Sequence, residues 1–145
     1  MVTTATTATM ATPDSTPQPR ICLIEDDEII GESLSDRFRL EGFDVDWCRT
    51  GAEARRALAT RRHAVVVSDI RLPGIDGLEL LARLKARDRS LPVVLITGHG
   101  DIDMAVGAMR NGAYDFMEKP FSPERLVDVV RRALEHRGLS REVVA

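Results

Sequence analysis

The stretch AVVVSDIRLPGIDGLELLARLKAR, residues 64–87, decides the fold. Ala64, Val65, Val66 and Val67 form an unbroken apolar run, the pattern of a strand buried on both faces. The run stops at Asp69. Pro73-Gly74 then marks a tight turn, and Asp76 is placed to cap the next helix. Over residues 77–87, Leu78, Leu81 and Leu80/Leu84 recur at helical spacing. The unit is a buried strand, an acidic loop and an amphipathic helix.

The chain shows no internal repeat, but the alternation of strand and helix continues on either side. Ile21-Cys22-Leu23-Ile24 is a short apolar run that ends at Glu25-Asp26-Asp27, and residues 28–41 carry Ile30, Leu34 and Phe38 at helical spacing until Gly42. Phe43 to Cys48 alternates as an edge strand would. Residues 51–62 are alanine-rich and helix-prone. Pro92 to Ile96 is a second strand of the buried type. Residues 101–111 place Ile102, Ala105, Val106 and Met109 on one face, Gly112 ends that helix, and Ala113 to Met117 is the fifth strand. Ser122-Pro123 is an N-cap followed by proline at the first helical position, and Leu126, Val127, Val130 and Leu134 carry the helix towards residue 137. Five strands alternating with five helices predict an α/β domain around a parallel sheet, with right-handed crossovers. Ligands of such open sheets bind beyond the carboxyl ends of the strands.

At 145 residues the chain has room for one domain with a real core. Residues 1–19 are rich in Thr, Ala and Pro and almost devoid of large apolar side chains, so a disordered tail is expected there. Residues 20–138 make the domain, and 139–145 extend the last helix or begin a linker to an output domain that these residues do not contain. A formal net charge of -3 gives no electrostatic case for binding nucleic acid directly. No apolar run reaches membrane-span length, and the N-terminus lacks the regions of a signal peptide, so the expected location is the cytoplasm with no membrane partner. Cys22 and Cys48 read as buried free thiols; a disulfide would require their two strands to pair.

Five side chains lie at or just past strand ends: Glu25, Asp26, Asp69, Thr97 and Lys119. If the strands are parallel neighbours, these groups meet at one edge of the sheet. Three carboxylates crowded together repel one another, and a hard divalent cation relieves that strain. Mg²⁺ suits a site of one or two carboxylates, waters and phosphate oxygens, while the lack of His and thiolate ligands argues against zinc. Asp69 is the candidate nucleophile, able to hold a phosphoryl group as an acyl phosphate. Lys119 would supply a positive point charge and Thr97 a hydroxyl donor, with small Gly98 leaving access. Each residue also has a bland reading: an acidic pair as a helix cap, a lone Asp as a turn former, a Thr as a cap, a Lys before Pro as a solvated charge. Five such coincidences at the ends of four strands are improbable together.

These residues belong to longer motifs: LIEDDE (23–28), VVVSDIRLPGIDGLEL (65–80), VVLITGHGDIDMAV (93–106) and GAYDFMEKPF (112–121). On them, residues 20–138 resemble the receiver domain of bacterial two-component response regulators. The TGHGDIDMAV and GAYDFMEKPF stretches are most similar to receivers of sigma-54-dependent activators of the C4-dicarboxylate-transport and nitrogen-regulation type. The resemblance implies a flavodoxin-like (βα)5 fold with strand order 2-1-3-4-5. It implies that Asp69 accepts phosphate from a sensor histidine kinase, and that Mg²⁺ is held by Glu25, Asp26, Asp69 and the backbone carbonyl of Arg71. Thr97 would be the switch hydroxyl and Phe116 the aromatic switch residue, together repacking the 101–137 face. Phosphorylation-dependent homodimerisation and control of a transcriptional output domain, the only route to DNA, are implied by the same resemblance. Glu25 departs mildly, since many members carry Asp there.

The chain is read as a switch rather than an enzyme. A phosphatase of the haloacid-dehalogenase type would need a second Asp two residues after the nucleophile, where this chain has Arg71. A flavodoxin-like electron carrier would need a phosphate-binding loop after the first strand, where EDDE repels phosphate. A stand-alone receiver acting through protein contacts is the remaining alternative. His99 and Arg71 flank the site as candidates for tuning hydrolysis, and Lys119-Pro120 is a candidate cis peptide.

Overall fold

A computed structural model of the protein describes residues 18–98 and 101–144. Most of the expected N-terminal tail, and His99, lie outside the described residues. The five principal strands are β1 (Arg20–Ile24), β2 (Asp44–Cys48), β3 (Val65–Asp69), β4 (Val93–Thr97) and β5 (Asp115–Glu118). They form one parallel sheet of order 2-1-3-4-5, as the resemblance implied. The helices between and after them are α1 (Glu28–Leu40), α2 (Gly51–Thr60), α3 (Gly77–Arg87), α4 (Ile102–Arg110) and α5 (Pro123–Val144).

The apolar runs form strands because both sheet faces are covered. α1 and α5 close one face over Ile21, Leu23, Val65, Val67, Val94 and Ile96. α2, α3 and α4 close the other over Cys22, Ile24, Val66, Val93 and Leu95. Residues alternate between the two layers along each strand, as the period of two demands. Every residue of β3 and β4 is buried, which explains why those stretches look uninterruptedly apolar in sequence.

The helix starts obey the expected signals. Asp27 accepts from the Ile30 amide at 2.9 Å, Asp76 from the Leu78 amide at 2.9 Å and Ser122 from the Arg125 amide at 3.3 Å. Thr50 caps α2 at the Glu53 amide, 3.1 Å away. At the expected helix ends, Gly42 and Gly112 adopt φ of 97° and 102°, a region that costs glycine nothing. Pro73-Gly74 is more than a turn: Arg71–Leu72 pairs antiparallel with Ile75–Asp76, a miniature hairpin too short to show periodicity in sequence.

The strands of Cys22 and Cys48 do pair, but the register sets Cys22 beside Asp46 rather than Cys48. Both thiols are free and buried. A hydrogen bond to Cys48, with burial, holds the Cys22 thiol strongly protonated.

One close approach ties α1 to β2. Gly31 packs directly against the indole of Trp47, and a Cβ at this position would overlap the ring. Gly31→Ala is therefore expected to displace Trp47 and lower stability by about 1–3 kcal/mol. Urea unfolding checks this; an unchanged midpoint would show that the ring repacks freely.

Candidate acidic site

The parallel register brings the acidic residues of β1 and β3 to one edge. Glu25 comes directly after β1 and is fully buried, Asp69 ends β3 and is 7% exposed, and Asp26 faces solvent. One carboxylate oxygen from each lies within 4.8 Å of the others. The site residues read from sequence at β1 and β3 are thus brought together.

Backbone hydrogen bonds fix their aim. Glu25 is held by its own N–H donating to the Cys48 carbonyl at 3.0 Å. Its carbonyl accepts from the Trp47 indole N–H at 2.9 Å, and its side chain accepts from the Asp27 amide at 3.1 Å. Asp69 accepts from the Arg71 amide at 3.0 Å, while the Gly77 amide donates to the Ile70 carbonyl at 3.1 Å and closes the loop after β3.

Lys119 completes the cluster from beyond β5. Its amide donates to the Thr97 carbonyl at 2.8 Å, and its peptide bond to Pro120 is cis, as the sequence suggested. Its ammonium donates to Asp69 Oδ2 at 3.1 Å and lies 3.7 Å from Glu25 Oε1. Burial opposes its charge, but the Asp69 hydrogen bond and the neighbouring Asp69, Glu25 and Asp27 carboxylates outweigh it, so the Lys119 pKa is raised.

Glu25 is the strained member. Its carboxyl pKa is pushed up by burial first and by the Asp69 and Asp26 charges after that, against lowering by the Asp27 amide and Lys119. Like-charge repulsion is thus the smaller cause for this residue, because a wholly buried carboxylate loses its hydration whatever its neighbours. Glu25 Oε1 has no hydrogen-bond partner. An orphaned buried carboxylate oxygen beside two further carboxylates is an all-oxygen donor set, and it fits a hard cation such as Mg²⁺.

Thr97 ends β4 fully buried, and its hydroxyl donates to the Met117 carbonyl across a long 3.4 Å bond rather than to Asp69. It lies two residues past Leu95, which registers with Phe116, so Thr97 and Phe116 share one face of the sheet. Phe116 is half-buried and packs against the layer under α4.

Two features of the site escape sequence reasoning. Trp47 reaches across from β2 to the Glu25 carbonyl, and no spacing rule signals such a contact. Arg71 binds Asp101 through two hydrogen bonds of 2.9 and 2.6 Å, a pairing between loops that only the fold brings together. The Arg71 guanidinium holds the Asp101 carboxyl below the usual carboxylate range.

Residues 21–131 match the family model described as the response regulator receiver domain. The C4-dicarboxylate transport transcriptional regulatory protein DctD of Pseudomonas aeruginosa is 50% identical over 125 residues, covering 86% of this chain and 27% of DctD. The transcriptional regulatory protein FixJ of Bradyrhizobium diazoefficiens is 40% identical over 119 residues, covering 82% of this chain and 58% of FixJ. The crystal structure of NtrX from Brucella abortus in complex with ADP superimposes with a TM-score of 0.84 at 40% identity, covering 88% of this chain and 29% of that one. The chain therefore spans little more than a quarter of the DctD relatives it matches.

Glu25→Gln removes a buried charge that lacks a full set of partners. The metal-free protein is expected to gain about 1–2 kcal/mol, and the rise in Tm on adding Mg²⁺ is expected to shrink. A Mg²⁺-induced shift undiminished in the variant would remove Glu25 from the donor set. Trp47, the sole tryptophan, should report the same binding as a saturable fluorescence change in the wild-type protein.

Proposed function

The chain belongs to the response regulator receiver family, and on that premise we propose that Asp69 is the phosphoryl acceptor of a two-component signalling switch. One observation carries the reading. The Lys119 ammonium contacts Asp69 at 3.1 Å and stands 3.7 Å from Glu25, whose Oε1 is otherwise unpartnered in a three-carboxylate cluster. Charges arranged this way suit a group that must be negative and yet accept a more negative one.

An Asp69 carboxylate oxygen attacks phosphorus, the bond from phosphorus to a phosphohistidine nitrogen of a sensor kinase breaks, and the imidazole leaves with the electron pair. The product is an acyl phosphate on Asp69. Lys119 neutralises charge on the attacking side and remains to pair with the transferred group. Glu25, Asp26, Asp69 and the Arg71 carbonyl would hold Mg²⁺. When bound, that ion shields the attacking carboxylate and the phosphoryl oxygens from each other.

The switch step uses the remaining pair. Thr97 has only a long bond to the Met117 carbonyl to give up. Rotation towards a phosphoryl oxygen would vacate space on the face it shares with Phe116, and the α4–β5–α5 surface would repack. We read this surface as the phosphorylation-dependent homodimer interface and as the control element for a transcriptional output domain outside these residues. No described helix is long and apolar enough to cross a membrane.

Asp69→Asn should abolish labelling by a small phosphodonor with Mg²⁺, read by intact-protein mass, while circular dichroism stays unchanged. A folded Asp69→Asn protein that still takes label would overturn the assignment. Lys119→Ala and Thr97→Ala should retain some labelling and lose the phosphorylation-dependent change in oligomeric state, measured by light scattering.

A further inference from the structure

The two-point ion pair between Arg71 and Asp101 has a counterpart at the start of α4. Asp101 is the N-cap residue of that helix, yet its side chain makes no capping hydrogen bond. Side chains cap α1, α2, α3 and α5, through Asp27, Thr50, Asp76 and Ser122. Asp27, Thr50 and Asp76 are extended, as capping requires, whereas Asp101 has φ -102° and ψ 23°. The carboxylate best placed to cap α4 is turned away from it and bound to the guanidinium.

The other end of the pair belongs to the acceptor loop. Arg71 lies two positions after Asp69, and its amide donates to Asp69 Oδ1 at 3.0 Å. Its side chain already interacts with the Asp69 charge. It is also largely exposed, at 70%, while Asp101 is only 6% exposed. The arginine is thus the partner that can swing, and Asp101 the one anchored against the fold.

We propose that Arg71 and Asp101 are positioning residues forming a latch that the phosphoryl group opens, with α4 as its output; this rests on Asp69 being the acceptor. A phosphoryl group offers Arg71 several oxygens and a greater negative charge than Asp101 does, and guanidinium binds such groups through two points. Arg71 moves to it and Asp101 is released. The Asp101 backbone turns to the extended region, and its carboxylate accepts from the amides of Asp103 or Met104, complementing the positive end of the helix. α4 carries Ile102, Val106 and Met109 at 42%, 44% and 39% exposure, an apolar stripe at helical spacing. Firming this helix presets the surface that a partner would meet. The same carboxylate therefore either holds the acceptor loop or caps α4, and it cannot do both.

Hydrogen exchange at the α4 amides, read by NMR on the full chain, tests the latch. Arg71→Gln without phosphodonor should slow exchange across residues 103–106 by about five-fold, the ratio an ordinary helix cap gives. Asp101→Asn, which keeps a capping side chain but loses the charge that holds Arg71, should slow it similarly. Asp101→Ala should abolish the slowing in the Arg71→Gln background. Wild-type protein treated with acetyl phosphate and Mg²⁺ should show the Arg71→Gln pattern, with the phosphoryl mass confirmed on the same sample. Unchanged exchange in both Arg71→Gln and Asp101→Asn, or slowing that survives Asp101→Ala, would overturn the latch. Wild-type protein that takes no phosphoryl group would instead remove the acceptor reading, whatever the variants show.

Discussion

The fold's functional edge depends on an imbalance of charge: three carboxylates gathered at the tips of two adjacent strands, with one ammonium brought in from a third. In water these groups would separate. The parallel register of β1, β3, β4 and β5 prevents that, because moving any one tip means breaking a ladder buried under helices on both sides. Glu25 shows the cost most clearly, being wholly buried with one oxygen that accepts no hydrogen bond. Holding these charges together costs stability, and a hard cation such as the proposed Mg²⁺ would recover it by neutralising them.

The framework around the site is correspondingly conventional. Helix caps, glycine stops and buried valine runs agree with one another at almost every element, which is the consistency expected of a sequence that specifies one structure. The exception among the helices is α4, whose N-cap is occupied elsewhere. A local rule broken beside a functional site, while obeyed at the other helices, points to a second use for the group involved. Here the second use is visible as the bond to Arg71.

The alternation of strand and helix was legible in sequence because burial on both faces leaves no polar residue inside β3 or β4 ahead of their last two positions, and because Asp27, Asp76 and Ser122 use local capping chemistry. Strand order was not legible from periodicity and came from the motifs. Glu25, Asp26, Asp69 and Lys119 were legible as a set because each ends an apolar run, so topology alone carries them to one edge. The direction of the Thr97 hydroxyl, the Trp47 contact with the Glu25 carbonyl and the Arg71–Asp101 pair were not. Each joins residues far apart in the chain through side-chain geometry, and no local period encodes that. The cause of the Glu25 shift was also hidden, since crowding can be counted from sequence while burial cannot.

Distributing one site over several strand tips has a mechanical consequence. Asp69, Thr97 and Lys119 are linked through the backbone as well as through charge: Asp69 registers with Ile96, the residue before Thr97, and the Lys119 amide bonds the Thr97 carbonyl. On the proposed reading, a new anion at Asp69 would act on two loops at once. It would draw the Thr97 hydroxyl from its long 3.4 Å bond to the Met117 carbonyl, and it would compete with Asp101 for Arg71. Both responses would converge on α4 and β5, one through the space behind Phe116 and the other through the helix start. One long hydroxyl bond and one ion pair to an exposed arginine, both released by a single strong charge, would make a switch that needs no large movement of the packed sheet.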